Sequence, residues 1–457
     1  MVHVQRAMNK GNEIFARKVI HSGDCVPLSE ERKLGYLDKV RLFKKDARLW
    51  IAISAMDSFA YGVSNVVFNL YIVSLPSFEE SFLGFFLSVS MFATALVAIP
   101  AGMLTDRRSR KGIIIVASLI SLLMVLIQYT MIEPIILILS QILLGLADGF
   151  TQVAWGPYVT DLSTSEERAH LFGFSGGISL LAILAGNLCG GYLPGFFFDF
   201  LGSSTTQIWA YRYTLWFSFI PLAIAFVILL SMSKDSVVEF KLEISFRHVT
   251  NWGFIGKYTS SVSAIGLGAG MIVLFFNLFF KNEFQAGDEL IGLIFGINTI
   301  ILAVGNFSAP ALADRFGKVR TIMFTEALSI PFLLMISWAP TIYLAVVAYV
   351  VRNVLMNMAG PVSSAFFMEG LRKEERATAT GVVRSGDSFV RGVAANIGGA
   401  LLAAGFYRLP YLLVAGLYAL GIVLFYAFFR NKEKEIELLR LAEMKQEKPP
   451  KGASDIT

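Results

Sequence analysis

Two clusters of charged side chains with matching spacing interrupt a largely apolar sequence. The first occupies 102–111 (Gly-Met-Leu-Thr-Asp-Arg-Arg-Ser-Arg-Lys), and the second occupies 310–320, where the aspartate falls 208 residues later (106 to 314). Carboxylates and guanidinium groups form ion pairs, and a carboxylate can accept hydrogen bonds from the open N-terminus of a neighbouring helix. The candidate residues for this chemistry are Asp106, Arg107, Arg110, Lys111, Asp314 and Arg315. Gly102 removes a side chain where two spans must approach closely.

A second charged pattern repeats at the same offset. Asp161 precedes Arg168 with six residues between them, and Glu369 precedes Arg376 in the same way. We expect Arg110 to pair with Asp161, and Arg376 to pair with Glu369 or to reach the second cluster.

Neutral residues recur at this offset as well. The segment 68–70 (Phe-Asn-Leu) returns as 276–278, and the glycine pair 190–191 returns as 398–399, without a gap. A repeat of this length predicts a chain made of two copies of one unit, and such duplication is common among transporters.

The composition is that of a membrane protein. Hydrophobic residues make up 55% of the 457 residues and charged residues only 16%, whereas soluble proteins carry about 25% charged residues. The net charge of +5 comes from loops and tails, so no nucleic-acid partner is expected. Two cysteines and four histidines without ligand spacing predict no metal site or cofactor. The absence of a Gly-Lys-Ser/Thr phosphate loop and of a nucleophile–base pair argues against an ATPase or another enzyme.

About twenty apolar residues cross a bilayer as a helix. By this rule the sequence predicts twelve spans, numbered 1 to 12, over 49–74, 81–104, 112–132, 135–157, 169–195, 210–232, 254–280, 289–312, 320–338, 341–367, 376–405 and 409–429.

The predicted organisation has five parts. They are an N-terminal tail with a basic interfacial helix (1–47), a six-helix half (48–232), a central loop (233–252), a second six-helix half (253–430) and a C-terminal tail (431–457). The loops after even-numbered spans and the central loop hold fifteen Lys and Arg residues, against three on the opposite side. The positive-inside rule therefore predicts that both termini and the central loop face the cytoplasm.

The charged cluster 102–111 and its repeat resemble the signature of the major facilitator superfamily of secondary transporters. Ser109 departs from that pattern, since the family usually has glycine there, and Pro310 stands where the first cluster has Gly102. The resemblance covers roughly 48–430. It implies a twelve-helix fold in two pseudo-symmetric halves, a cytoplasmic gate built from the charged clusters, a monomer in the plasma membrane, and a cavity lined by spans 1, 4, 7 and 10 and flanked by spans 2, 5, 8 and 11.

Ionisable residues within membrane spans are costly and are therefore candidates for function. Arg352 and Asp387 both lie near the middle of their spans, and Arg352 is about 16 Å from the nearer end of span 10 at a rise of 1.5 Å per residue. We expect these two opposite charges to neutralise each other, either as part of an acidic-solute site or as a packing ion pair. The remaining candidates are Asp57 and Asp148 as proton carriers or packing carboxylates, Arg384 and Arg391 beside Asp387, and Glu326 with a structural role.

Neutral residues complete the predicted path, among them Asn69, Asn277 and Trp155. The leading interpretation is a secondary transporter that moves a small organic solute by alternating access, with coupling to protons. Aromatic and apolar residues slightly favour efflux of amphipathic compounds, whereas the arginines of spans 10 and 11 favour uptake of an organic anion. A non-transporting sensor or scaffold of the same fold is the other alternative.

Overall fold

The structure, a computed structural model, describes residues 43–76, 78–107, 109–163, 165–202, 206–233, 249–372 and 375–432. The predicted interfacial helix before span 1, most of the predicted central loop and the tail beyond 432 lie outside these ranges. The described chain is helical and contains no β-strand. This confirms the predicted all-α class.

The helices of the first half contain the apolar runs that predict them. Their bounds are Lys45–Ser74 (span 1), Glu80–Arg107 (span 2), Arg110–Thr130 (span 3), Pro134–Leu162 (span 4), Ser165–Leu201 (span 5) and Gln207–Ser231 (span 6). Span 5 is longer than predicted at both ends, because polar and aromatic residues continue the helix beyond its apolar run.

Two spans of the second half are interrupted. Span 7 consists of Trp252–Ile272, a 3-10 turn at Val273–Phe275 and Phe276–Phe284, and span 10 consists of Ile342–Asn357 and Gly360–Glu369. The others are Asp288–Phe316 (span 8), Lys318–Trp338 (span 9), Arg376–Ala403 (span 11) and Leu409–Phe429 (span 12).

The interruption of span 10 follows from its sequence. Pro361 has no N–H to donate to the preceding turn, so it takes the first turn of a new helix after Ala359. Pro157, in contrast, lies inside the continuous helix of span 4.

Span 11 differs in composition from the rest. Among the described residues, eleven helical segments are long and apolar enough to cross a membrane, and span 11 is not one of them. It carries Arg384, Asp387 and Arg391 within 28 residues. It nevertheless packs lengthwise against spans 2 and 7, so it is the twelfth helix of the bundle.

The two halves contact each other at one end of the bundle. We call the end where span 1 begins and span 12 finishes the terminus end, and the opposite end the distal end. At the distal end Asn69 Nδ2 donates to Asn277 Oδ1 at 3.1 Å, and Asn277 Nδ2 donates to the Val66 carbonyl at 3.1 Å. Spans 1 and 7 therefore meet through their distal parts.

Glycines bring two further pairs of spans together across the same boundary. A Cβ on Gly84 of span 2 would lie 2.8 Å from the Cα of Gly399 in span 11, and a Cβ on Gly292 of span 8 would lie 2.8 Å from the Cα of Gly191 in span 5. These glycines are equivalent at the repeat offset (84 to 292 and 191 to 399). The two contacts are therefore symmetric copies of one backbone contact, which only glycine permits.

Carboxylates at the first turns of spans 2 and 8 extend this closure. Glu80 accepts a hydrogen bond from Asn282 Nδ2 of the other half at 3.1 Å. The equivalent residue, Asp288, accepts one from Tyr211 of the first half at 3.2 Å and forms an ion pair with Lys281 at 2.7 Å. Both carboxylates thus bind across the boundary between the halves.

Gly156, Gly176 and Gly360 lie toward the terminus end of spans 4, 5 and 10, and the position of a Cβ on each of them has no other part of the described chain within 4 Å beyond its own helix backbone. The closure formed by the symmetric contacts of the described residues lies at the distal end.

Candidate functional site

A cavity of about 530 Å³ lies between the two halves. Spans 1 and 5 line it from the first half, and spans 7 to 12 line it from the second. Its walls combine aromatic rings with amide and charged groups. The polar lining residues include Asn65, Asn187, Asn298, Asn353, Asn357, Glu326, Arg352 and Arg391.

Arg352 is the most deeply buried charge on this cavity. Its side chain is 1% exposed, although it lies in a membrane span. Its Nη2 donates to the Tyr418 hydroxyl, and the guanidinium lies 5.8 Å from the centre of the Phe276 ring and 5.4 Å from that of Tyr418. Nε and Nη1 have no acceptor among the described residues. No carboxylate of the described chain pairs with this arginine.

The expected neutralisation of Arg352 by Asp387 is wrong in this structure. Asp387 Oδ2 instead accepts a hydrogen bond from Arg391 Nε at 2.7 Å, one helical turn along span 11. Residues four apart on a helix are neighbours, so this partner is available without any packing between spans. Arg391 also lines the central cavity, and Arg384 is exposed.

Glu326, for which a structural role was predicted, lines the central cavity. Span 9 brings this carboxylate to the same space as Arg352, and no ion pair joins the two within 4.0 Å. The two halves differ at these positions, since Glu326 is equivalent to Ser118 and Arg352 to Leu144 at the 208-residue offset. Comparison of the halves could have singled out Glu326, because the charge appears in one copy only.

The two carboxylates of the first half lie on a different cavity. Asp57 and Asp148 both line a space of about 360 Å³ enclosed by spans 1, 3, 4 and 6, together with Trp155. This corrects their predicted position on the central cavity, because no residue of the second half lines this space. Neither carboxylate forms an ion pair within the described chain. Tyr61 lines both cavities.

Asn69 and Asn277 are not lining residues of the central cavity. Their amide groups form the hydrogen bonds between spans 1 and 7, and Asn277 is 2% exposed. The expectation that these two asparagines contact the solute is therefore corrected, since they close the distal end of the bundle.

The charged clusters at the terminus end are partly described. The side chains of Asp106, Arg107, Asp161 and Arg168 lie outside the described structure, and so do the surroundings of Gly102. In the second half Lys318 forms an ion pair with Glu369. These residues are equivalent to Arg110 and Asp161 (110 to 318 and 161 to 369), so the pairing expected for the first half is present in the second.

The remaining residues of the second cluster differ from expectation. Arg376 donates to the Leu371 carbonyl at 3.4 Å, while Glu369 binds Lys318. Asp314 and Arg315 are exposed, and the Arg315 guanidinium lies 5.3 Å from the centre of the Phe316 ring.

Lys111 has a role that sequence reasoning missed. It is 7% exposed, and its ammonium group donates to the Leu230 carbonyl at 3.1 Å and to the Met232 carbonyl. These carbonyls lie at the C-terminal end of span 6, where a cation is favoured. Lys111 therefore joins span 3 to span 6 within one half.

Glu375 was also missed. It is 1% exposed, and its Oε1 accepts hydrogen bonds of 2.6 Å from both the N–H and the hydroxyl of Thr250. Burial opposes ionisation of Glu375, but these hydrogen bonds and the neighbouring Arg372 outweigh it, so the pKa of Glu375 is lowered. The carboxylate joins the start of span 11 to the segment before span 7.

Comparison with known proteins agrees with this architecture. The family model described as Major Facilitator Superfamily matches residues 50–257 and 258–453. No curated protein gave a significant match.

Solved structures share the fold. A mutant of the nucleoside transporter NupG superposes with a TM-score of 0.71 at 14% identity, covering 84% of this chain and 99% of that one. The inward-open xylose transporter XylE from E. coli gives 0.66 at 14% identity, covering 86% and 99%. A D-xylose–proton symporter gives 0.65 at 15% identity, covering 83% and 97%. At these identities the likeness concerns the fold.

The family model covers almost the whole chain in two consecutive segments, and the duplicated charged clusters, the twelve helices and the cavity between the halves agree with it. The chain is a multi-pass membrane protein of the major facilitator superfamily, a secondary transporter and not an enzyme.

Proposed function

We propose that this protein carries a small organic solute in the central cavity by alternating access and that protons drive the transport. The observation that carries the proposal is the combination of a cavity lined by both halves with a distal end closed by symmetric contacts. A cavity that is closed at its distal end can exchange solute only through the opposite end.

The distal contacts are of a kind that can break and re-form. They include side-chain hydrogen bonds, such as Asn69 to Asn277, and close glycine contacts, beside a buried apolar cluster that contains residues of both halves. Rocking of one half against the other would release them together and open the distal end, while the charged clusters approach one another at the terminus end. In that closed state Lys318–Glu369 and its first-half equivalent would form part of the gate.

Proton coupling is assigned to Asp57 and Asp148. They share one cavity without a cationic partner in the described chain, and carboxylates within membrane spans mark proton pathways. Tyr61 contacts both this cavity and the solute cavity. A change in the charge of the first cavity can therefore act on the second through span 1.

The terminus end is proposed to face the cytoplasm, with the protein acting as a monomer. The excess of Lys and Arg in the loops at that end supports this orientation. A second candidate function is the efflux of amphipathic compounds. It is favoured by the aromatic rings of the cavity wall, such as those of Phe276, Phe295 and Tyr349.

The test is a measurement of external pH in a suspension of proteoliposomes while organic acids and amphipathic cations are added. Solute-dependent proton movement is expected with the wild type and is expected to be lost in Asp57→Asn or Asp148→Asn. Asp199→Asn is the matched control, because Asp199 is exposed at the end of span 5. Equal proton movement in all four proteins would contradict the assignment, and silence of the folded wild type across the panel would contradict proton coupling.

A further inference from the structure

The burial of Arg352 requires compensation that the described chain does not supply. A guanidinium at 1% exposure has lost its hydration, and a buried charge is normally paired with a carboxylate. Two of its three nitrogens, Nε and Nη1, have no acceptor among the described residues. The rings of Phe276 and Tyr418 provide cation–π attraction, which is worth about 0.5–2 kcal/mol for each ring and leaves these donors unfilled.

The acidic groups near the cavity do not accept hydrogen bonds from Nε or Nη1 of Arg352 either. Asp387 is engaged by Arg391 on its own helix, and Glu326 lines the cavity without an ion pair to Arg352. Arg391 is neutralised by Asp387, so the charged side chains of the cavity wall without an ion pair are Arg352 and Glu326. Arg352 is the more deeply buried of these two, at 1% exposure.

The surroundings of the guanidinium favour a ligand with an apolar body. Phe276, Phe295 and Tyr349 are buried and line the same cavity, so they offer ring faces beside the unfilled donors. Arginine binds carboxylates through a planar set of N–H groups and gives stronger hydrogen bonds to them than to neutral acceptors.

We infer that the solute of the central cavity is a carboxylate-bearing organic anion with an apolar body, and that Arg352 is the residue that binds its carboxylate. This inference rests on the proposed function only in treating the central cavity as the solute site. Tyr418 is then a positioning residue, because its hydroxyl accepts a hydrogen bond from Nη2 and so fixes the orientation of the guanidinium.

The test is calorimetric binding to the purified full-length protein in detergent, with matched pairs of probes. The pairs are benzoate with benzamide and octanoate with octanamide, and benzylamine is the cationic comparison. At least one carboxylate is expected to bind about tenfold or more tightly than its amide, a difference of about 1.4 kcal/mol. The same affinities for both members of each pair, or tighter binding of benzylamine, would overturn the inference.

Variants locate the effect. Arg352→Gln is expected to abolish the preference for the carboxylate, and Arg352→Met is the second version, because an apolar replacement of a buried charge is often tolerated by the fold. Glu326→Gln is expected to keep or strengthen the preference, since it removes the negative charge from the cavity wall. A preference that survives in the folded Arg352 variants, or that disappears in Glu326→Gln, would overturn the assignment.

This outcome is separable from the proton coupling. Binding in detergent needs neither flux nor a pH gradient. Loss of coupling in the proteoliposome assay with intact carboxylate binding would contradict the role of Asp57 and Asp148 alone. Proton-coupled transport of a neutral or cationic solute, without carboxylate binding, would contradict the role of Arg352 alone.

Discussion

Asn69 donates a hydrogen bond to Asn277 across the boundary between the halves, and the two asparagines are the same position of the repeat, 208 residues apart. A residue and its symmetric copy can meet only near the axis that relates the two halves. The contact therefore marks the point where the distal end is closed at its centre.

Removal of this contact should open the distal end. Asn277→Ala deletes hydrogen bonds to Asn69 and to the Val66 carbonyl, and each such bond is worth about 1 kcal/mol. We expect a shift of the equilibrium toward the distally open state, seen by double electron–electron resonance as longer distances between spin labels at positions 133 and 341. The labels require Cys25 and Cys189 to be replaced by serine. Ser74→Ala is the control, because its hydroxyl binds the Tyr71 carbonyl of its own helix, and unchanged distances in Asn277→Ala would refute the prediction.

The glycine contacts predict a similar shift by a steric route. A methyl group on Gly84 would lie 2.6 Å from the Ala395 carbonyl oxygen, and one on Gly292 would lie 2.5 Å from the Asn187 carbonyl oxygen. Since backbone cannot move aside, Gly84→Ala and Gly292→Ala should each disfavour the distally closed state by about 1–3 kcal/mol. The same spin-label distances test this. In Gly416→Ala the added Cβ would meet no atom within 4 Å, so the distances should be unchanged. A similar effect of all three substitutions would contradict the role of Gly84 and Gly292 in closing the distal end.

Lys111 is expected to act on stability more than on gating. Lys111→Met leaves the carbonyls of Leu230 and Met232 without their charged donor, so the free energy of unfolding should fall by about 1–3 kcal/mol. Thermal unfolding in detergent measures this, with the exposed Lys45→Met as control. Lys111→Arg should recover part of the loss. If Lys111→Met melts like the wild type but alters the spin-label distances, Lys111 belongs to the gate instead.

Glu375 predicts a pH-dependent contribution to stability. Its pKa is lowered from 4.5 in the folded protein, so its stabilising effect is fully present above the unfolded value and is lost as the pH falls through the folded value. Glu375→Gln should therefore melt at a lower temperature than the wild type at pH 7, and the difference should shrink below about pH 4. The exposed Glu79→Gln is the control. A difference that stays constant with pH would show that packing, and not charge, is responsible.

The sequence predicted the helices well because hydropathy and length decide them. The spans lie where the apolar runs lie. The repeat offset paired Gly191 with Gly399, and each of these glycines proves to contact a glycine of the other half. The interruption of span 10 follows from Pro361, whereas the 3-10 turn of span 7 has no equivalent signal.

Partners of charged groups were harder to predict, because they depend on tertiary packing. Depth alone brought Arg352 and Asp387 to the same level, but a neighbour on the same helix, Arg391, takes the carboxylate. Likewise, the depth of Asp57 and Asp148 could not show that spans 3 and 6 would enclose them in a cavity of their own. The roles of the charged clusters at the terminus end stay predictions.

The charge on span 11 has a consequence for biogenesis. A charged residue at the centre of a membrane helix costs about 2.5–3.5 kcal/mol during insertion by the translocon, and this helix carries Arg384, Asp387 and Arg391. The pairing of Asp387 with Arg391 offsets part of that cost, and packing against spans 2 and 7 must supply the rest. We therefore expect span 11 to integrate only after spans 2 and 7 are in place, so the halves of this protein are coupled during synthesis as well as during transport.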